Sequence, residues 1–358
     1  MSSTLKKTNK RIYSYDIVRI FSALVVVMVH AISPLVTDRP YGSFEFTFGN
    51  ILDSVGRASV ANFLMLSGAL LLNEKKDIPP KKLIRSALHI FVITLIWSFG
   101  YALFTKVMIP LYNGNDVVFK SFFKAFIKGH FHMWYLYMLV GLYLLTPILR
   151  LFVKRENMHY IVYFLVLAFS AIFLPTFIDA FIHHFTGKSD LIMSYIDKFE
   201  FNYINEFLCY YLLGWLLTNV HIPKKHRIVL YVLGILGYIT TAVGSHFFMS
   251  ENMRKSVFYN HDMINIAFFG IGIFVFCLYR FKKSSFERTG KFIKTLSDLT
   301  FGVYLIHGFF LIIMRSLTKG IEAQLPRTLI ICVSMTVLSF VASYIISKIP
   351  VIRKLIST

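Results

Sequence analysis

Arginine and histidine are costly in hydrocarbon, yet Arg19 and His30 both lie in the apolar run YSYDIVRIFSALVVVMVHAISPL at residues 13–35. An imidazole can exchange a proton near neutral pH and a guanidinium carries a fixed positive charge, and ionisable groups inside a span usually mark a site. Eleven residues at about 100° each make three turns plus roughly 20°, which puts both side chains on one helical face about 16 Å apart along the axis. Small Ser22, Ala23 and Val26 lie between them on that face, while bulkier Leu24 and Met28 point elsewhere. Asp16, one turn before Arg19, is placed to pair with it or orient it. The alternative is purely structural: Arg19 snorkels to lipid phosphates, and His30 makes an interhelical hydrogen bond.

Such residues must be positioned by membrane helices. The 358-residue chain is 56% hydrophobic, 17% aromatic and only 16% charged, with a mean hydropathy of +0.63, far more apolar than a soluble domain of this length requires. Ten apolar stretches are long enough to be spans, at about 15–36, 55–73, 83–108, 131–152, 159–178, 203–219, 227–247, 262–281, 299–318 and 326–347. The second and sixth contain the most polar residues. The expected fold is therefore all-α and polytopic, with about ten transmembrane helices.

The basic residues orient these spans. The N-terminal segment, NEKKDIPPKKLIR, RLFVKREN, IPKKHR, RFKKSSFERTGKFIK and the C-terminal segment hold about two thirds of all lysine and arginine, which predicts a cytoplasmic face with both termini on it. The opposite loops, near 37–57, 109–130, 179–202 and 248–261, are expected outside. Residues 1–14 then form a cytoplasmic tail, 15–347 a single transmembrane domain and 348–358 a second tail. The net charge of +20 is spread in short clusters between spans, with no nucleic-acid module, so membrane lipids are its expected partner. Cys209, Cys277 and Cys332 all lie within apolar runs, which points to packing rather than a disulfide or metal framework. An even basic bias without eukaryotic sorting motifs points to a bacterial plasma membrane; the sequence is silent on oligomeric state.

Four segments, in order along the chain, carry a resemblance. DIVRIFSALVVVMVH has an Arg-x10-His pattern, and ASVANFLMLSGALLL contains Phe63, Ser67 and Gly68 in a Phe-x-x-x-Ser-Gly arrangement. HMWYLYMLVGLYLLTPIL begins a helix with His132 and Trp134, and FGVYLIHGFFL carries Tyr304 and His307. Together they resemble the acyltransferase family 3, integral membrane enzymes that O-acylate glycans and glycolipids, and within it the stand-alone O-acetyltransferase branch.

The resemblance implies an O-acyltransferase, in the first instance an O-acetyltransferase, that takes its acyl group from cytoplasmic acetyl-CoA and delivers it to a hydroxyl of an envelope glycan or lipid-linked saccharide outside. Arg19 would hold the donor and His30 would meet its reactive end, as base or as acyl relay. Lys81, Lys82 and Arg85, at the cytoplasmic start of the third span, would meet the phosphates of coenzyme A; some members carry Arg-x-x-Arg here, and a lysine is a point charge rather than a fork. Ser67 and Gly68 would lie near the donor, although small residues also serve close helix packing.

Trp134 is a candidate acceptor platform or an ordinary interfacial aromatic. Tyr304 and His307, three residues apart, could complete the pocket or bond to their surroundings. Glu206, with Asn202 and Asn205, could bind acceptor hydroxyls, but an acid at a helix N-terminus is also favoured by the dipole. His183-His184 and His261-Asp262 lack metal-ligand spacing or a third ligand, so no metal is expected. Alternative readings are a polysaccharide or lipid-linked saccharide transporter or flippase, and an O-succinyltransferase of the same family. A transporter should show matched, Gly- or Pro-interrupted spans in two halves, and these residues are scattered without such pairing.

Overall fold

The computed structural model describes residues 11–186, 192–199, 205–248, 256–281, 289–350 and 352–357. Helix α1 (Tyr13–Thr37) is followed by α2 (Phe44–Gly56) and α3 (Ser59–Leu71), which run as one bent span. Ser43 caps α2 by accepting from the Phe46 N–H at 3.2 Å, and Glu45 in its first turn complements the dipole. The bend falls where Ser59 Oγ donates to the Gly56 carbonyl, a Gly/Ser pair of the kind that bends helices.

Helix α4 (Pro80–Leu103) begins after Pro79 with Pro80 at its first position, where a missing N–H costs nothing. It continues through a π-helical turn (Phe104–Met108) into the short α5 (Ile109–Tyr112). Helix α6 (Phe119–Lys128) ends at Gly129, whose φ of +72° is left-handed and favours glycine. Next come α7 (Trp134–Phe152), α8 (Met158–Ala168), a π-helical turn (Phe169–Phe173), α9 (Leu174–Thr186) and the short α10 (Met193–Ile196). The bundle is completed by α11 (Glu206–Asn219), α12 (Lys224–Phe248), α13 (Ile264–Arg280), α14 (Gly290–Leu317) and α15 (Gln324–Ser347).

Nine segments among the described residues are long and apolar enough to cross a membrane, and the protein is an all-α polytopic membrane protein. The sixth expected span, 203–219, is present as α11, but its described helix has only 14 residues and is about 21 Å long, short of a hydrocarbon core of about 30 Å. Buried residues run along α11 from Cys209 to Trp215. It packs inside the bundle against α3 and α8. A helix screened by protein need not match the lipid thickness.

Two expected outer loops also contain helices. Residues 44–56 form α2, and 119–128 form α6. In α6, Phe119, Phe123 and Ile127 make an exposed apolar stripe beside Lys120, Lys124 and Lys128. Regularly spaced lysines lower the mean hydropathy of such a helix without weakening it, which is why a search for apolar runs passes over it.

Helix α1 is the hub, packed against α2, α3, α13, α14 and α15. The tightest crossing is between α3 and α11. A Cβ on Gly68 would stand 1.8 Å from the Tyr211 carbonyl oxygen, and one on Gly214 would stand 1.8 Å from that of Met65. Outward-facing rows such as Leu88, Val92 and Ile96 of α4, and Val333, Val337 and Val341 of α15, remain exposed. Lipid is the solvent suited to them.

At the other end of α7, Arg150 ties down the turn after α3, donating to the carbonyls of Leu71 (2.6 Å), Asn73 (3.2 Å) and Lys76 (2.6 Å). Arg150→Met, which keeps the aliphatic stem, is expected to destabilise the protein by at least about 2 kcal/mol, the scale of charge-assisted hydrogen bonds. Hydrogen exchange should show faster opening at residues 72–76; unchanged protection there would contradict this anchoring role.

Candidate active site

His30 lies 17 residues beyond the start of α1 and seven before its end, in the last third of the helix rather than near its middle. Its ring stacks on that of His307 from α14, with centroids 5.2 Å apart and planes 14° from parallel, and meets Phe131 edge-on at 4.9 Å. The His132 ring is 6.2 Å away. Chain segments far apart in sequence thus bring three imidazoles together.

The surrounding hydrogen bonds hold these rings in place. The Nδ1–H of His307 donates to the Tyr304 carbonyl at 2.7 Å. A carbonyl only accepts, so Nδ1 carries the proton, and Nε2, buried without a partner, is left as a lone pair. Tyr304 in turn donates its hydroxyl to the His132 carbonyl, locking α14 to the turn before α7. His132 and His130 share a hydrogen bond between their Nδ1 atoms at 2.9 Å. His130 lies flat on Tyr101, centroids 4.2 Å apart, and Tyr101 donates to the Leu305 carbonyl at 2.7 Å. Burial, with a smaller contribution from His307, lowers His130 to about 4, so it is neutral at pH 7. Gly308 admits this cluster: a Cβ there would stand 2.7 Å from Tyr101 Oη and 2.9 Å from His132 Cε1.

Two cavities meet at His30. The smaller, about 140 Å³, is walled by Phe63, His132, Trp134, Tyr135 and Tyr304. The larger, about 540 Å³, is walled by Asp53, Glu206, Ser256, Tyr259, Asn260 and Asp262. Val29, His30, Arg57 and His261 line both. Trp134 faces His261 with ring centroids 5.7 Å apart and planes at 30°, so it forms part of this site.

The expected site residues are therefore partly assembled. His30, Trp134, Glu206 and Tyr304 line one or both of the two cavities, and His307 stacks on His30 without lining either. Arg19 stands apart, about 16 Å along α1, where its Nη1 donates to Ser297 Oγ at 3.0 Å and lies 3.6 Å from Asp16. Asp16 is buried and engaged within the protein: it accepts from Arg11 at 2.6 and 2.8 Å and from Ser297 at 2.7 Å. It anchors α1 to α14 and orients Arg19, as the paired reading of these residues expects, and does not line either cavity.

Ser67 Oγ donates back to the Phe63 carbonyl at 2.9 Å, the usual habit of a helical serine. Gly68 is taken up by the α3–α11 crossing, the packing alternative for this pair. Lys82 and Arg85 are exposed on the first turns of α4. Asn205 caps α11 by accepting from the Phe207 N–H at 2.8 Å, whereas Asn202 lies outside the described residues. Among the described residues, no group of three or more His, Cys, Asp or Glu side chains has the arrangement of a metal site.

Sequence reasoning missed Arg57, Asp53, Tyr101 and His130. Asp53 and Arg57 form an i,i+4 ion pair at the bend of the α2–α3 span. An acid and an arginine at that spacing inside an apolar segment was a usable signal, hidden because the stretch reads as a loop. His130 was visible as the first residue of HFH, but nothing local shows that it would reach Tyr101.

When the chain is compared with known proteins, the family model described as an acyltransferase domain, that of acyltransferase family 3, matches residues 12–346. No curated protein and no solved structure matches.

Proposed function

Because the chain belongs to acyltransferase family 3, we propose that this membrane acyltransferase is an O-acetyltransferase, taking acetyl from acetyl-CoA and placing it on a hydroxyl of an extracytoplasmic envelope glycan or lipid-linked saccharide. The observation that supports this most strongly is the position of His30 in the shared wall of two cavities. A thioester in one and a sugar hydroxyl in the other would meet at its ring.

In this reading both termini are cytoplasmic, and the host membrane is a bacterial plasma membrane. The larger cavity takes the acceptor. Glu206, Asp262, Asn260 and Ser256 offer the carboxylate, amide and hydroxyl groups that bind polyols, and Trp134 lies beside it as a platform for a sugar face. The donor approaches along α1 from the Arg19 end, with its phosphates near Arg19 and the exposed Lys82 and Arg85. An extended pantetheine arm is long enough to carry the thioester from there to His30.

The chemistry then balances simply. Neutral His30 removes the acceptor hydroxyl proton as the oxygen attacks the thioester carbonyl. The tetrahedral adduct collapses, expelling the thiolate of coenzyme A, which takes the proton back from His30. In the covalent variant the imidazole itself attacks first and passes the acetyl on. His307, stacked on the His30 ring, holds that ring in place through the step.

The test is turnover by purified protein in liposomes, with radiolabelled acetyl-CoA and a glycolipid extract, following label onto lipid-linked sugar. Arg19→Lys is expected to raise the KM for acetyl-CoA by about tenfold while leaving that for the acceptor within about twofold, since an ammonium cannot reproduce the guanidinium fork. Failure of the wild-type protein to bind or turn over acetyl-CoA would overturn the donor assignment.

A further inference from the structure

Arg57 carries a second functional assignment. It lies at the bend between α2 and α3 and lines both cavities together with His30. Among the described residues that line either one, it is the sole permanently charged cation. A guanidinium placed there in a membrane span is costly unless something uses it.

Its immobilisation is one-sided. Nε donates to Asp53 Oδ2 at 3.0 Å, and Nη2 donates to the same oxygen. The flat face of the group rests over the Tyr259 ring, 4.0 Å from its centroid, and Tyr259 is itself held by Asn50 through its hydroxyl. Nη1 makes no hydrogen bond to any described residue. An arginine needed only as a counter-ion for Asp53 would be better placed with its other edge bonded to backbone carbonyls, as Arg150 is.

We propose that Arg57 is the oxyanion-stabilising residue of the transfer reaction: its free Nη1 edge receives the thioester carbonyl oxygen at the junction of the cavities, opposite the proton-accepting His30. This rests on the acyltransferase reading given above. As the acceptor oxygen bonds to the carbonyl carbon, the carbonyl π electrons move onto oxygen and Arg57 stabilises that charge. When the C–S bond breaks, the electrons return, the carbonyl re-forms as an ester, and the thiolate leaves. Arg57 neither gains nor loses a proton. Asp53, buried and paired on the far edge, is a positioning residue that keeps the fork aimed without neutralising the near edge.

The experiment compares wild-type, Arg57→Lys and Arg57→Ala proteins in liposomes under saturating acetyl-CoA and acceptor extract. Arg57→Lys retains a cation against Asp53 and should fold; its kcat is expected to fall by at least about 100-fold with KM for the donor within about threefold, the signature of a lost transition-state contact. Millimolar guanidinium should partly restore turnover to Arg57→Ala and leave the wild type unchanged. A purely structural Arg57 would instead lower the yield of folded protein without changing kcat per folded molecule. Wild-type turnover with an unaltered kcat in Arg57→Lys would overturn this assignment alone. Absence of wild-type turnover would overturn the acyltransfer reading, and this assignment with it.

Discussion

Replacing His30 with alanine is expected to reduce acyl transfer by about 10²–10⁴-fold, the range supplied by general acid–base catalysis, and by more if the imidazole itself carries the acyl group. Geometry underlies the size of the effect: of the two imidazoles that line both cavities, His30 and His261, His30 is the one stacked on His307, while His261 faces Trp134. Folding should be preserved. Alanine is the better helix former, and the space left by the ring opens onto the two cavities that it already lines. Coenzyme A release per folded molecule is the measurement. Label that remains on wild-type protein after a pulse and is absent from His30→Ala would identify the covalent route. Undiminished release by the variant would remove His30 from the mechanism.

The second large effect is on stability. Gly68→Ala should weaken the bundle by about 1–3 kcal/mol or prevent its assembly, because the added Cβ meets a backbone oxygen that cannot rotate away. The 1.8 Å gap to Tyr211 can open only if α3 and α11 separate, which would spread the tyrosines and Trp215 buried at that crossing. Gly214→Ala should behave alike from the opposite side, where the obstacle is the Met65 carbonyl. Thermal unfolding in detergent measures both. A Gly68→Ala protein of normal stability with a raised KM for acetyl-CoA would return Gly68 to the donor site.

Helix α1 shows why so much was legible in advance. An apolar run of that length has few alternatives in a bilayer, since every backbone polar group must be satisfied internally. The 3.6-residue period then places Ser22 and Ala23 inward and Leu24 outward, as their burial shows. Arg19 and His30 stood out because ionisable groups are rare in such a run. Asp53 and Arg57 are equally ionisable, but they occupy a bent span whose first half, FEFTFGNILDSVG, has polar residues that read as a loop. Only their burial between α1 and α12 makes that half a membrane helix.

Membrane class, helical fold, the approximate extent of most spans, the resemblance to an acyltransferase family and the suspicion falling on Arg19 and His30 all follow from composition, periodicity and order of motifs. These are local properties, written within one helix at a time. The tertiary structure alone assembles His30, His132 and His307, seats Gly68 at the α3–α11 crossing, engages Asp16 with Arg11, Arg19 and Ser297, and brings Arg57 to the junction of two cavities. Each of those facts depends on which helix faces which. That choice is made by contacts between residues up to hundreds of positions apart, such as the 281 separating Asp16 from Ser297, and no local pattern encodes them.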